Sequence, residues 1–257
     1  MVYSEIQSLL KNTSTDTNIF SVKLSIIIPL YNEEKLILDV LNELMKVQYP
    51  SYVENTEVII VDDLSTDSSF NTVASYIKDK QFIKVFKHPK NRGKGAAVKT
   101  GIQNSTGDII LIQDADLELS PRDIPAMLQA MNELNIPFIN GSRYMPGVLR
   151  PQAAFRRYFA NKLFTGLTSA LINVHLTDIA CGYKLFTKEL FDKLNLKESR
   201  FGFEAELLIK CARIQKNWIA EVPVRYFPRN EGEGKKLKNM DGFRILKTII
   251  KYGLFRM

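Results

Sequence analysis

The chain has 257 residues, 45% of them hydrophobic, with 35 Lys plus Arg against 28 Asp plus Glu and a net charge of +7. That content excludes a disordered chain; two cysteines (Cys181, Cys211) and two histidines (His88, His175) argue against a disulfide framework and a Cys- or His-rich metal site. The length fits one large α/β domain or two small ones, and the surplus charge suits nucleic acid, an anionic small substrate or an anionic membrane surface.

Residues 1–22 form an N-terminal extension without the basic start and apolar stretch of a secretory signal. Leu24–Leu30 is an Ile-rich strand run, and Glu33–Val47 has helical spacing through Leu36, Val40, Leu41, Leu44 and Met45. Glu57–Val61 is a second buried strand, followed by a helix after Ser65 with Ser65, Thr66 and Asp67 as N-cap candidates. Phe82–Phe86 reads as a third strand, Lys94–Gln103 as a helix and Asp108–Ile112 as a fourth strand. Pro121 marks a helix start, and Phe138–Asn140 is a fifth strand candidate. Downstream come a long helix over Phe155–Val174, a short strand at Lys184–Phe186, a helix over Phe203–Ile214 and a strand over Ile219–Tyr226. A Gly/Lys-rich loop, Glu231–Lys238, then precedes a basic amphipathic helix over Asp241–Phe255. The alternation implies βαβ units and an α/β fold with a mostly parallel central sheet flanked by helices. No apolar run approaches the roughly 18 residues needed to span a bilayer.

In an open α/β sheet, ligands bind beyond the carboxyl ends of the strands. Four polar clusters fall there: Pro29, Tyr31, Asn32 and Glu33; Asp62, Asp63, Ser65 and Asp67; Asn91 to Gly95; and Asp114 to Glu118. Asp114 and Asp116, two apart beyond a hydrophobic strand, can converge on one Mg²⁺ or Mn²⁺ ion holding a diphosphate, or can simply cap the next helix. Asp62 and Asp63 can accept hydrogen bonds from a ribose or base edge, or serve a turn. Arg92–Gly95 offers cations and flexible backbone near phosphates, or is a solvated turn. It matches neither a P-loop nor a dinucleotide fingerprint. A nucleic-acid module finds no basic stripe interleaved with aromatics, and the acidic loops oppose it. Asp114 and Asp116 oppose a catalytically dead scaffold.

The segments PLYNEE, VDDLSTD, NRGKGAA, QDADLE and GSRY, in this order and spacing, closely resemble glycosyltransferase family 2. TDIACGYKLFTKEL, RFGFEAELL, EVPVRY and EGEGKKL are similar to its polyprenyl-phosphate (dolichyl- or undecaprenyl-phosphate) mannosyl- and glucosyltransferase branch. The resemblance covers about Leu24 to Asp241 and implies a GT-A catalytic domain over 23–240, with a C-terminal helix over 241–257. It implies inverting, divalent-metal-dependent transfer of a hexose from a GDP-mannose or UDP-glucose type of donor to a polyprenyl phosphate. The alternative acceptor is a sugar hydroxyl in cell-surface polysaccharide synthesis. By resemblance Pro29, Tyr31, Glu33, Asp62, Asp63, Arg92 and Lys94 would hold the donor nucleotide, and Asp114, Asp116 and Glu118 the Mg²⁺ or Mn²⁺. Glu118 stands where this branch often has Gln, and Cys181-Gly182-Tyr183 where it often has Ser-Gly-Phe.

Ser142, Arg143, Arg157 and Asn161 would lie on the acceptor side. Arg143, Arg157, Arg229, Lys235 and Lys236 are candidates for screening an acceptor phosphate from the donor diphosphate. An acceptor phosphate is already anionic and needs alignment rather than a base. A hydroxyl acceptor needs a carboxylate base, for which Asp178, Glu204 and Glu206 are candidates, with a structural role for Asp178 and a solvated helix face for the two glutamates as the plainer readings. Phe155, Phe159, Leu163, Leu167 and Leu171 recur at helical spacing and read mainly as core. The terminal helix, with Phe243, Leu246, Ile249, Ile250 and Phe255 among basic residues, reads equally as packed or lying on an anionic membrane. His88 and His175 read as surface or loop residues and Trp218 as core. The expected setting is cytoplasmic, at the inner face of the membrane.

Overall fold

The computed structural model describes residues 21–148, 151, 155–229 and 239–255. Seven strands form one sheet: β1 (Val22–Leu30), β2 (Val53–Asp62), β3 (Ile83–Lys87), β4 (Ile109–Ile112), β5 (Phe138–Ser142), β6 (Lys184–Thr187) and β7 (Ala220–Pro223). Their spatial order is β3-β2-β1-β4-β6-β5-β7. All are parallel except β6, which runs antiparallel between β4 and β5. The helices are α1 (Ile37–Met45), α2 (Ser69–Tyr76), α3 (Lys94–Gln103), α4 (Ile124–Leu134), α5 (Phe155–Ile172), α6 (Lys188–Asp192), α7 (Phe203–Ile214) and α8 (Asn239–Gly253).

The continuous apolar runs of β1, β2 and β4 follow from burial on both faces. Along β1, Leu24, Ile26, Ile28 and Leu30 join Leu41 and Leu44 of α1 and Leu128 of α4 in one core. Ile27 faces the other, with Val98 of α3, Leu208 of α7 and Ile249 of α8. Among the described residues no helix is long and apolar enough to cross a membrane.

Several boundaries move for local reasons. The first helix begins at Ile37, not Glu33, because Leu36 and Ile37 both donate to the Glu33 carbonyl in a turn entered through Asn32 at φ 51°. The second begins at Ser69 because the polar groups at 65–67 are engaged elsewhere: Asp67 accepts from the Glu34 and Ser69 amides, and Ser65 Oγ from the Asn32 amide. Pro121 opens a 3₁₀ turn before α4. The strand expected to reach Tyr226 stops at Pro223; Tyr226 makes an isolated antiparallel bridge to Leu119.

Three burial expectations are corrected. Trp218 is 65% exposed, carried out by a turn through Lys216 and Asn217 in left-handed backbone, so it is not core. His88 is buried, with Nδ1 2.7 Å from Asp63 Oδ1 and Nε2 2.9 Å from Thr100 Oγ1. On α5 the expected apolar stripe turns outward over its first half, Phe155 being 74% exposed, while Asn161, Thr165 and Thr168 face inward. That inner face is polar because Asn161 and Thr165 serve the 178–179 backbone and side chains. In α8, Ile245, Ile249 and Tyr252 pack inward while Phe243 stays exposed, so the helix both packs and presents apolar surface.

Candidate active site

The carboxyl ends of six strands and the start of β6 share one edge of the sheet. Strand order reverses between β1 and β4, which opens a crevice at that edge. After β1, the loop carrying Asn32 and Glu33 is tied to the loop after β2: the Glu33 amide donates to Ser69 Oγ at 2.8 Å, and Asn32 exchanges hydrogen bonds with Thr66. Tyr31 is half-buried in this loop, whereas Pro29 lies within β1, in register with Val61. Buried Asp62 closes its own turn by accepting from the Ser65 amide. Asp63 accepts from the Arg92 and Gly93 amides at 2.8 and 2.6 Å and meets His88. Both aspartates therefore shape loops, and Asp63 pins the Arg92–Lys94 turn. Gly93 at φ 93° makes the sharp entry into α3, and exposed Arg92 points to solvent.

Lys94, first residue of α3, places Nζ 2.5 Å from Asp114 Oδ1 and 2.8 Å from Glu204 Oε1. Burial works against its charge, but the two carboxylates outweigh it and hold the pKa above the usual lysine value. Across the crevice, residues 226–229 run back over 117–119, with the Phe227 amide donating to the Glu118 carbonyl. They deliver Arg229, which pairs with Glu33 at 2.9 Å, Asp116 at 2.8 Å and Glu118 at 3.7 Å. Arg229 thus joins the β1–β4 crevice, not the Ser142–Arg143 corner. Asp116 is pushed up to about 6, by burial first and then by the charges of Asp114 and Glu118, with Arg229 opposing.

The three expected metal ligands are not gathered on one point. Asp114 turns to Lys94, Asp116 and Glu118 turn to Arg229, and among the described residues no group of three such side chains could hold a metal. Their chemistry still fits a hard divalent ion: the donors are oxygens, and Asp114 and Glu118 add negative charge beside the buried Asp116 that Arg229 offsets in part.

The second half of the site lies after β5. Arg143 grips fully buried Asp178, with Nε to Oδ2 at 2.7 Å, Nη2 to Oδ1 at 2.9 Å and its amide to Oδ2 at 3.1 Å. Asn161 Nδ2 and the Ala180 amide also donate to Asp178. Burial alone would raise the Asp178 carboxyl, but the Arg143 guanidinium outweighs it and holds the carboxyl below the usual range. Asp178 therefore positions Arg143 and is not a base, and buried Asn161 serves that carboxylate. Ser142 Oγ lies 2.5 Å from Thr177 Oγ1, and half-buried Arg157 is nearby in sequence on α5. Lys235 and Lys236 lie outside the described residues.

Glu206 is fully buried and accepts from the Lys197 and Glu198 amides and Lys210 Nζ, so it is neither a base nor a solvated face residue. Glu204 stays at the site edge, committed to Lys94.

The turn from Thr177 to Tyr183 joins the halves. Glu221 of β7 accepts from the Thr177 amide at 2.6 Å and Thr177 Oγ1 at 2.7 Å, while Asn140 links Glu221 to the Asp178 carbonyl. Buried Lys184 donates to the Cys181 carbonyl, and Tyr183 OH donates to Gln113 beside Asp114. A Cβ at Gly182 would overlap Asp114 Oδ2. Sequence reasoning missed Gln113, Thr177, Glu221 and the structural role of Lys184; an amide just past the apolar run of β4 and an acid within β7 were the available signals.

The sequence profile of glycosyl transferase family 2 matches residues 25–194. Dolichyl-phosphate beta-glucosyltransferase of Homo sapiens is 34% identical over 232 residues, spanning 84% of this chain and 69% of that protein. Dolichol-phosphate mannosyltransferase of Mycosarcoma maydis is 31% identical over 245 residues, spanning 90% and 79%. Among solved structures, glucosyl-3-phosphoglycerate synthase from Mycobacterium tuberculosis, in complex with Mn²⁺, UDP-glucose and phosphoglyceric acid, superposes with a TM-score of 0.69 at 20% identity, covering 90% of this chain and 80% of that one. The likeness establishes the GT-A fold expected from the sequence.

Proposed function

This chain belongs to glycosyl transferase family 2 and is a glycosyltransferase; from that premise we propose that it moves a hexose from a nucleotide-diphosphate sugar to a polyprenyl phosphate, with inversion. The β1–β4 crevice takes the donor and the Ser142–Arg143 corner takes the acceptor. The observation that carries the acceptor class is the lack of an available base among the three expected candidates. Asp178 is spent on Arg143, Glu206 is buried under two amides and Lys210, and Glu204 is paired with Lys94. A hydroxyl acceptor needs proton removal, whereas a phosphate arrives as an anion and needs orientation and screening. The curated relatives' names carry a dolichyl or dolichol phosphate, which agrees with that reading.

Glu33, Asp116 and Glu118 face the crevice, held in place by Arg229, and Lys94 holds Asp114 beside them. Asp114 and Asp116 would hold the divalent ion, which when bound supplies charge neutralisation to the departing diphosphate. Arg143, immobilised by Asp178, orients the incoming anion. The enzyme would work peripherally at the cytoplasmic face of a membrane, where exposed Phe155, Phe159 and Leu163 would meet lipid.

The test is incubation with radiolabelled UDP- and GDP-sugars, Mg²⁺ or Mn²⁺, and undecaprenyl or dolichyl phosphate. A labelled lipid product is expected from at least one donor; none from any donor overturns the function. Full activity in Asp116→Ala would overturn the metal assignment.

A further inference from the structure

The acceptor corner holds two cations against one aromatic ring. Arg143 Cζ lies 5.6 Å from the centroid of Tyr144, and Lys162 Nζ lies 4.8 Å from the same centroid and 5.8 Å from that of Tyr158. Tyr144 and Tyr158 meet edge to face at 5.3 Å, so the ring that both cations approach is braced by a residue of α5. Asp178 is the carboxylate partner of Arg143, through both of its oxygens. Lys162 has no carboxylate partner among the described residues. Its one hydrogen bond there is to the Thr177 carbonyl at 3.3 Å, next to the Ser142–Thr177 hydroxyl pair.

From this we infer that Lys162 is a phosphate-binding residue of the acceptor site. Its ammonium supplies the unmatched positive charge that Arg143, already neutralised by Asp178, does not. The two cations divide the work. Arg143 is fixed in orientation by a buried carboxylate and presents its remaining guanidinium edge. Lys162 is a point charge on a flexible stem and can follow the anion. Its neighbours on α5, Phe159 and Leu163, are both exposed, so an apolar chain attached to the phosphate has a surface to follow. The inference rests on the lipid-phosphate reading of the acceptor site.

The test separates the charge from the tie to Thr177. Lys162→Gln removes the charge but keeps an N–H donor on a side chain of similar bulk, and Lys162→Arg keeps the charge. Binding of a short prenyl monophosphate is measured by calorimetry on the full chain in the presence of UDP and Mn²⁺, together with steady-state transfer to the lipid phosphate. Lys162→Gln is expected to weaken prenyl phosphate binding and raise the acceptor KM by about tenfold or more, the loss typical of a charge-assisted hydrogen bond. Donor KM and kcat should stay within about twofold, and Lys162→Arg should recover most of the acceptor affinity. If the wild type binds prenyl phosphate and Lys162→Gln binds it equally well, the assignment of Lys162 is overturned while the acceptor reading stands. If the wild type binds no prenyl phosphate, both are overturned.

Discussion

Replacing Asp178 by Asn tests whether the Arg143–Asp178 pair is the structural keystone of the acceptor corner. The carboxylate is fully buried and accepts from the Arg143 amide, Nε and Nη2, from Asn161 Nδ2 and from the Ala180 amide. An asparagine keeps one acceptor oxygen but turns an NH₂ group toward donors and leaves the guanidinium charge without its counter-ion. Breaking a buried pair from one side costs about 3–5 kcal/mol. For a domain of this size that corresponds to a fall of very roughly 10 °C in Tm. The effect has a pH signature. The Asp178 pKa is depressed in the folded state, so its contribution is fully present above the unfolded carboxyl value of about 4 and is lost as pH falls through the folded value. The gap between wild type and Asp178→Asn should therefore be constant from pH 5 to 8 and close in stronger acid. Urea unfolding across that range measures it. Adding Arg143→Met to Asp178→Asn should restore part of the loss, because the stranded charge is removed. A single variant within about 0.5 kcal/mol of wild type at pH 7 would refute the reasoning.

Gly182→Ala places a Cβ onto Asp114 Oδ2 and against Leu119 Cδ1, so Asp114 must leave Lys94; donor turnover should fall about tenfold or more with acceptor KM little changed, as steady-state kinetics would show. Arg229→Gln removes the cation that lowers the Asp116 carboxyl, which should then titrate above about 6 in a carbon-detected NMR experiment; an unchanged value would mean that Arg229 does not face Asp116 in solution.

The fold was legible where burial leaves a pattern. Strands covered on both faces write near-continuous apolar runs such as Leu24–Leu30 and Ile109–Ile112, and the loops after them are polar because they end at the ligand edge. The antiparallel setting of β6 was not legible, since four residues, Lys184–Thr187, carry no mark of direction. On α5 the period was read correctly and the face wrongly: the spacing of Phe155, Phe159 and Leu163 reveals a helix, but which side meets the protein depends on what Asn161 and Thr165 find at Asp178 and Ile179.

The same limit applies to the site. Motifs located the carboxylates and cations, but not their pairing, because the partners lie far apart along the chain: Arg229 meets Glu33 across 196 residues and Glu118 across 111. Pairing decides chemistry here. An aspartate read as a possible base becomes the anchor of an arginine once Arg143 is found on both of its oxygens, and an arginine read as an acceptor ligand becomes the counter-ion of three crevice carboxylates. The net charge of +7 takes on a different meaning for the same reason. Most cations at this edge are already matched, Lys94 by Asp114 and Glu204, Arg143 by Asp178, Arg229 by Glu33, Asp116 and Glu118. The charge that can act on an incoming phosphate is therefore not the sum over the chain but the small remainder that no carboxylate has claimed, and Lys162 belongs to that remainder.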